Sequence, residues 1–364
     1  MGELDTFFEL LQVALGNCDE LSRVPSAKEW ENLYDESKRQ AVTGIMVAGL
    51  EKLSKEQRPR LELLLQWIGI SEQIRQGNLS LSKHCKQLQG KVSDLDHNSS
   101  ILKGQGVALY YDESLKDLRQ SGDIDIFVGC GQKGTMDIAH QLGVTEPEWD
   151  YKHLHLDVFD DVEVEMHYRV EVLLNLWKNW RLQSWFKEND ALLYSENSGL
   201  TTPTTLFNVF YILLHIYRHF LYEGVGFRQI VDYYFVLKTS NRENMDVSCS
   251  LEAVANFGLD RFAKGLMWVM QEALGMPREW MLWEPDEKEG RYILEEVMTG
   301  GNFGHHDQRL THDGGKWNAV KSVCKHNWHL LQHYPADVIW APIWFVWHKC
   351  WKIKTKMLLK MTEG

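Results

Sequence analysis

Between about residues 99 and 170 the apolar residues of this chain alternate with a period of two, whereas on either side they recur at helical spacing. That change of texture confines the fold to a small strand-containing unit set between helical regions. Within the unit, Ile101-Leu102 runs into Lys103-Gly104-Gln105-Gly106, which reads as strand, glycine turn and helix start. Asp123 to Val128 alternates and is closed by Gly129 and Gly131, and Thr135 to Leu142 reads as a short helix. Tyr151 to Phe159 and Val162 to Tyr168 alternate again, divided by Asp160-Asp161.

Before the unit, Phe7, Leu10, Leu11 and Ala14 form a helical stripe, and Ala41 to Leu53 forms another. From Gln57 to Leu88 the stripe consists of Leu61, Leu64, Leu65, Ile68, Ile74 and Leu79, and Asp94 to Ser100 breaks it. Helical spacing returns over 171–187, 204–222 and 226–239 and in several segments from 250 to about 361, interrupted by a glycine- and histidine-rich loop over 300–307. The expectation is an α+β protein: helices over 1–95, a mixed-sheet α/β core over 96–200 and a helical domain over 201–364.

In a strand, side chains alternate between faces. Asp123 and Asp125 therefore share one face, as do His153, His155 and Asp157, and likewise Glu163, Glu165 and His167. A two-residue hairpin loop would set Asp157 against Val164 and mix the faces, so a loop of odd length, three or five residues, is expected. Two readings of the resulting polar face stay open: a solvated surface, or a metal site. Crowded carboxylates repel unless a cation lies between them. Mg²⁺ takes one or two protein carboxylates with phosphates and water, and two ions can flank an in-line displacement.

The ordered set Leu102-Lys103-Gly104, Arg119, Gly122-Asp123-Ile124-Asp125-Ile126 and Val164-Glu165-Met166-His167-Tyr168 resembles a family of uncharacterised bacterial nucleotidyltransferases of the polymerase-beta-like superfamily. His215, His219, Gly226, Arg228, Asp232 and Gly301-Asn302-Phe303-Gly304 extend the resemblance, which covers roughly residues 60 to 310. The resemblance implies that Asp123, Asp125 and Glu165 hold catalytic Mg²⁺ (or Mn²⁺). It also implies transfer of a nucleoside monophosphate from a nucleoside triphosphate to a hydroxyl acceptor, a small molecule, protein or RNA end, with release of pyrophosphate. Glu165 is a candidate to accept the hydroxyl proton. Lys103-Gly104 stands where the superfamily has Gly-Ser, so phosphate would be held by backbone N–H groups and the Lys103 ammonium, with Arg119 as a second cation and Gly122, Arg228 and Asp232 near the nucleotide. The altered turn leaves room for an inactive binding module of the same fold, and the histidine-rich hairpin for a metal-dependent phosphohydrolase.

Other features carry two readings each. Gly104-Gln105-Gly106 lacks the third glycine of a dinucleotide fingerprint, and no P-loop is present. His215 and His219, at i and i+4, are a zinc pair or cleft-lining residues with buried partners; Arg228 and Asp232 are a helix ion pair or nucleotide contacts. His155, His167 and His306 are further cleft candidates, although His305-His306-Asp307 also reads as a plain surface loop. Trp340, Trp344, Trp347 and Trp351, with Lys349, Lys352, Lys354, Lys356 and Lys360, form a basic aromatic helix that packs on the body or lies on a membrane.

The net charge of −12 argues against a general nucleic-acid binder, which needs a cationic surface. Six dispersed cysteines without a Cys-x-x-Cys offer no zinc knuckle or disulfide framework and suit a reducing cytosol. No basic-then-apolar leader and no run of roughly 20 apolar residues is visible, so a cytoplasmic protein without a transmembrane segment is expected.

Overall fold

The computed structural model describes residues 3–302 and 330–362. Four helices come first: α1 (Glu3–Leu15), α2 (Ala27–Arg39), α3 (Thr43–Lys52) and the long α4 (Leu61–Ser93). α2 begins at a reciprocal cap, in which Ser26 Oγ accepts from the Glu29 N–H and the Glu29 carboxylate accepts from the Ser26 N–H. The leucine stripe expected to bury α4 is instead exposed: Leu61, Leu65, Ile68 and Leu79 face outward. The buried face consists of Trp67, Ser71, Asn78, Leu81, Cys85, Leu88 and Val92.

The mixed unit follows as β1 (Ser99–Ile101), α5 (Gln105–Ala108), β2 (Ile124–Val128), α6 (Gly131–Gln141), β3 (Glu148–Trp149), β4 (His153–Leu156) and β5 (Val164–His167). These strands form one sheet in the order β1-β2-β5-β4-β3. β2 and β5 run parallel, and the other neighbours are antiparallel. The hairpin register pairs His155 with Glu165 and Leu156 with Val164, which keeps both faces homogeneous as the parity argument requires. The loop is longer than expected, because the ladder stops at Leu156 and Val164 and leaves residues 157–163 as the connection.

The rest is mostly helical: α7 (Leu176–Glu188), a small hairpin of β6 (Ser195–Asn197) and β7 (Leu200–Thr202), then α8 (Thr205–Tyr222), α9 (Phe227–Arg242), α10 (Ser248–Phe257), α11 (Asp260–Leu274), α12 (Glu287–Gly300) and α13 (Pro335–Thr362). Neither β3 nor the β6–β7 hairpin was expected from the periodicity, each strand being too short to show alternation. α8 is apolar almost all round and is accordingly buried on nearly every side.

Two cores result. Ile124, Ile126, Val128, Leu154, Leu156, Val164 and Met166 on one sheet face pack with Leu81, Cys85, Leu88 and Val92 of α4 and Ile138 of α6. Phe127, on the opposite face, joins the larger core shared by α1, α3, α8, α9 and α11. The carboxylate face therefore looks into the helical body rather than into solvent.

Trp344, Trp347 and Trp351 of α13 pack edge-on around the Tyr151 ring, with centroids 4.9–5.1 Å away, which is the body-packing reading of that helix. Among the described residues no helix is long and apolar enough to cross a membrane.

Candidate active site

Several segments of the chain converge on one cavity of about 250 Å³. Its floor is the sheet's polar face, and α8 and α9 supply the opposite wall. Lys103, Gly104, Arg119, Asp123, Asp125, His153, Glu165, His215, His219, Arg228 and Asp232 all line it. Most of the residues singled out from the sequence thus come together. Gly122 is exposed at its edge, His155 is half-buried beside His153, and His306 lies outside the described residues, as does most of the 300–307 loop.

The parallel register sets Asp125 directly beside Glu165 on adjacent strands, and Asp123 precedes β2 by one residue on the same face. One carboxylate oxygen from each of the three lies within 4.8 Å of the others. The nearby Asp125 charge, and then burial, push the Asp123 carboxyl up. Burial pushes Asp125 the same way, but the Lys103 ammonium and His167 overcome it and hold Asp125 well below the usual carboxylate range. Glu165, against the upward push of burial, is brought down to about 2, chiefly by His167.

Lys103 sits in the cluster itself, with Nζ 2.6 Å from Asp125 Oδ1. Gly104 places it there: at φ +55° the chain turns sharply out of β1, a conformation that favours glycine. Gly106 then lets α5 start against the strand, since a Cβ there would stand 2.5 Å from the Ile101 carbonyl oxygen.

Arg119 forms a two-pronged ion pair with Asp232, Nε to Oδ1 and Nη2 to Oδ2 both at 2.7 Å, and both groups are buried. Tyr111 also donates to Asp232, at 2.7 Å. The Arg119 fork that the sequence offered to phosphate is thus engaged by a carboxylate from α9. Asn78 of α4 holds the Asp117 and Arg119 carbonyls, which fixes the segment that carries the guanidinium. Arg228 donates to the Gln120 carbonyl at 2.9 Å.

His215 Nδ1 lies 3.0 Å from Glu171, and His219 Nδ1 lies 3.0 Å from Glu223. Burial lowers both imidazoles' pKa values. Both line the cavity with these carboxylate partners, as the cleft-lining one of their two readings has it.

Sequence reasoning missed Lys152, Arg218 and Glu223 in the lining, and Glu171 just behind it. Arg218 lies one residue from His219 on α8 and three from His215, and Lys152 precedes His153, so a count of cations flanking the histidines would have found both. Glu171 is fully buried and meets His215, Arg218 Nε at 3.4 Å and Lys152 Nζ at 3.6 Å. Burial would raise its carboxyl, but Lys152 and Arg218 hold it well below the usual range. A depressed folded-state pKa contributes stability that is complete above the unfolded value, about 4.3, and is lost as pH falls through the folded one. Glu171→Gln is therefore expected to lose about 3–5 kcal/mol at pH 7, with Lys152 deprived of this carboxylate and Arg218 left with Glu223 alone. In urea denaturation that gap from the wild type should narrow below about pH 4; a gap constant down to pH 3 would refute this origin.

A family model described as uncharacterised nucleotidyltransferase matches residues 26–275, well over half of the chain. The matched region contains the whole cavity lining and ends before the Gly301–Gly304 loop. No curated protein and no solved structure matches the chain.

Proposed function

The chain belongs to this nucleotidyltransferase family, and from that premise we propose that it is a polymerase-beta-like enzyme, dependent on Mg²⁺ or Mn²⁺, that moves a nucleoside monophosphate from a nucleoside triphosphate to a hydroxyl. The observation that carries the reading is the convergence of Asp123, Asp125 and Glu165 on a face enclosed by helices. Enclosure counts against the solvated-face alternative. The repulsion that raises Asp123 is what a cation between the carboxylates would relieve. The three carboxylates fit a hard divalent ion, which prefers oxygen ligands.

When bound, the ions would supply positive charge to the oxygens of the triphosphate as charge develops on them. The acceptor oxygen forms its bond to the α-phosphorus, and the bond to the bridging oxygen breaks as pyrophosphate leaves. The acceptor proton needs a base. Glu165, within reach of the other two carboxylates, is the candidate to take it. Lys103, Lys152, Arg218 and Arg228 are the other cations that line the cavity where phosphate oxygens would lie, while Arg119 and Asp232 brace the wall.

The test is incubation of the full chain with Mg²⁺, each α-labelled nucleoside triphosphate and cell extract. Transfer of label with release of pyrophosphate supports the reading. Release of inorganic phosphate alone overturns it in favour of a phosphohydrolase. Failure of Mg²⁺ and nucleotide at millimolar concentration to raise the melting temperature overturns it in favour of an inactive module.

A further inference from the structure

Beside the carboxylate cluster lies a second set of ligand atoms with a different chemistry: His153 and His167 with Glu165. His153 Nδ1 and His167 Nε2 each stand 3.3 Å from Glu165 Oε2. Two ligand atoms on one tetrahedral ion with bonds of about 2.1 Å lie about 3.4 Å apart, so the spacing is that of a site ready for an ion.

The hydrogen bonds around the two rings fix which nitrogens carry protons. His155 Nδ1 lies 2.8 Å from the Glu163 carboxylate, which can only accept, so Nδ1 donates and, in the neutral ring, His155 Nε2 carries a lone pair. His153 Nε2, 3.2 Å from that lone pair, must then be the donor. This leaves His153 Nδ1 as a bare acceptor aimed at a carboxylate. The ring is more than nine-tenths buried, and Nδ1 has no hydrogen-bond partner. His167 differs in that both of its nitrogens face acceptors. Its Nδ1 donates to the Arg169 carbonyl at 3.2 Å, and Nε2 turns to Glu165 and to Asp125.

A metal-bound histidine is oriented in this way, with its other N–H given to a carbonyl, a carboxylate or a further acceptor. The relay from Glu163 through His155 to His153 ends on a buried lone pair facing an anion, a contact that a bound cation would make favourable.

We propose that His153 Nδ1, His167 Nε2 and Glu165 Oε2 bind a divalent transition-metal ion of the Zn²⁺ class, at a site separate from the Asp123–Asp125 cluster and sharing Glu165 with it. Imidazole ligands select Zn²⁺ and its neighbours over Mg²⁺, which prefers oxygen. Three protein ligands leave a fourth position for water or substrate oxygen, and His153 and Glu165 both line the cavity. Binding displaces the proton that His167 Nε2 shares with Asp125, and that proton passes to solvent. The site goes beyond the nucleotidyl-transfer reading and does not depend on it.

The test uses the full chain, stripped by chelator and titrated with Co²⁺, then with Zn²⁺ in competition. The expected result is one equivalent of Co²⁺ with the strong visible absorption of four-coordinate nitrogen ligation, displaced by Zn²⁺. His153→Gln should weaken Zn²⁺ binding at least about 100-fold, and Glu163→Gln, which breaks the relay, about 10-fold. Glu163 is exposed, so its variant keeps the fold and decides the matter even where His153→Gln misfolds. Asp123→Asn, which removes a nearby charge but no ligand, should weaken binding far less than His153→Gln. Absence of the visible band, wild-type affinity in Glu163→Gln, or equal loss in Asp123→Asn each overturns the assignment. Stabilisation by Mg²⁺ and nucleotide is read separately, so failure of one site is distinguishable from failure of the other.

Discussion

Asp123→Asn and Asp125→Asn are expected to stop nucleotidyl transfer alike and to differ in stability. Each removes a carboxylate from the proposed Mg²⁺ site, and charge stabilisation there is worth several kcal/mol, so turnover should fall at least about 10³-fold. The fold responds differently to the two changes. Asp125 is buried and meets Lys103 at 2.6 Å, so its loss leaves an ammonium in the interior short of its main counter-charge. A cost of about 3 kcal/mol is expected from such a broken pair. Asp123 is raised by the Asp125 charge and gives up repulsion when neutralised, so Asp123→Asn should melt at or above the wild-type temperature. Initial rates and urea midpoints check both halves. Equal destabilisation of the two variants would refute the charge arrangement, and turnover retained by either would refute the catalytic assignment.

The second large effect concerns Arg119 and Asp232. The pair joins the segment before β2 to α9, is nearly inaccessible to water, and is completed by Tyr111. Removing one partner strands the other, so Arg119→Met and Asp232→Leu should each lose about 3–5 kcal/mol. The double variant replaces both charges with apolar groups and should recover much of that loss. A double-mutant cycle in urea measures the coupling, expected at about 2 kcal/mol or more. Single losses of about 0.5 kcal/mol, the size of surface substitutions, would show that the pair is solvated and does not brace the cavity wall.

What the sequence revealed about the site follows from the rigidity of the strand period. Side-chain parity is fixed at two, so Asp123 and Asp125 could be assigned to one face, likewise Glu163 and Glu165, and an odd register setting Asp157 against Glu163 or Glu165 could be deduced; the observed pairing of His155 with Glu165 has that parity. Loop length was less legible, because nothing local says where a ladder stops pairing. The helical period misled in α4, where the leucines face outward and the buried face includes Ser71 and Asn78. Asn78 is inside because it serves two backbone carbonyls some forty residues later in the chain, a reason no local pattern carries. The partners of Lys103 and Arg119 were hidden for the same cause. Both were read as cations facing phosphate, and each sits against a carboxylate brought near by the tertiary fold.

The Lys103 ammonium has a further consequence. Small metal domains that bring their ligands together only around an ion are unfolded without it. Here Asp125, the most buried of the three carboxylates, already has a covalently tethered counter-ion, delivered by the turn at Gly104. Assembly of this face therefore does not wait for metal. A chain made in a chelating medium should reach its native shape unaided, and a divalent ion arriving later enters by exchange with an amine already in place.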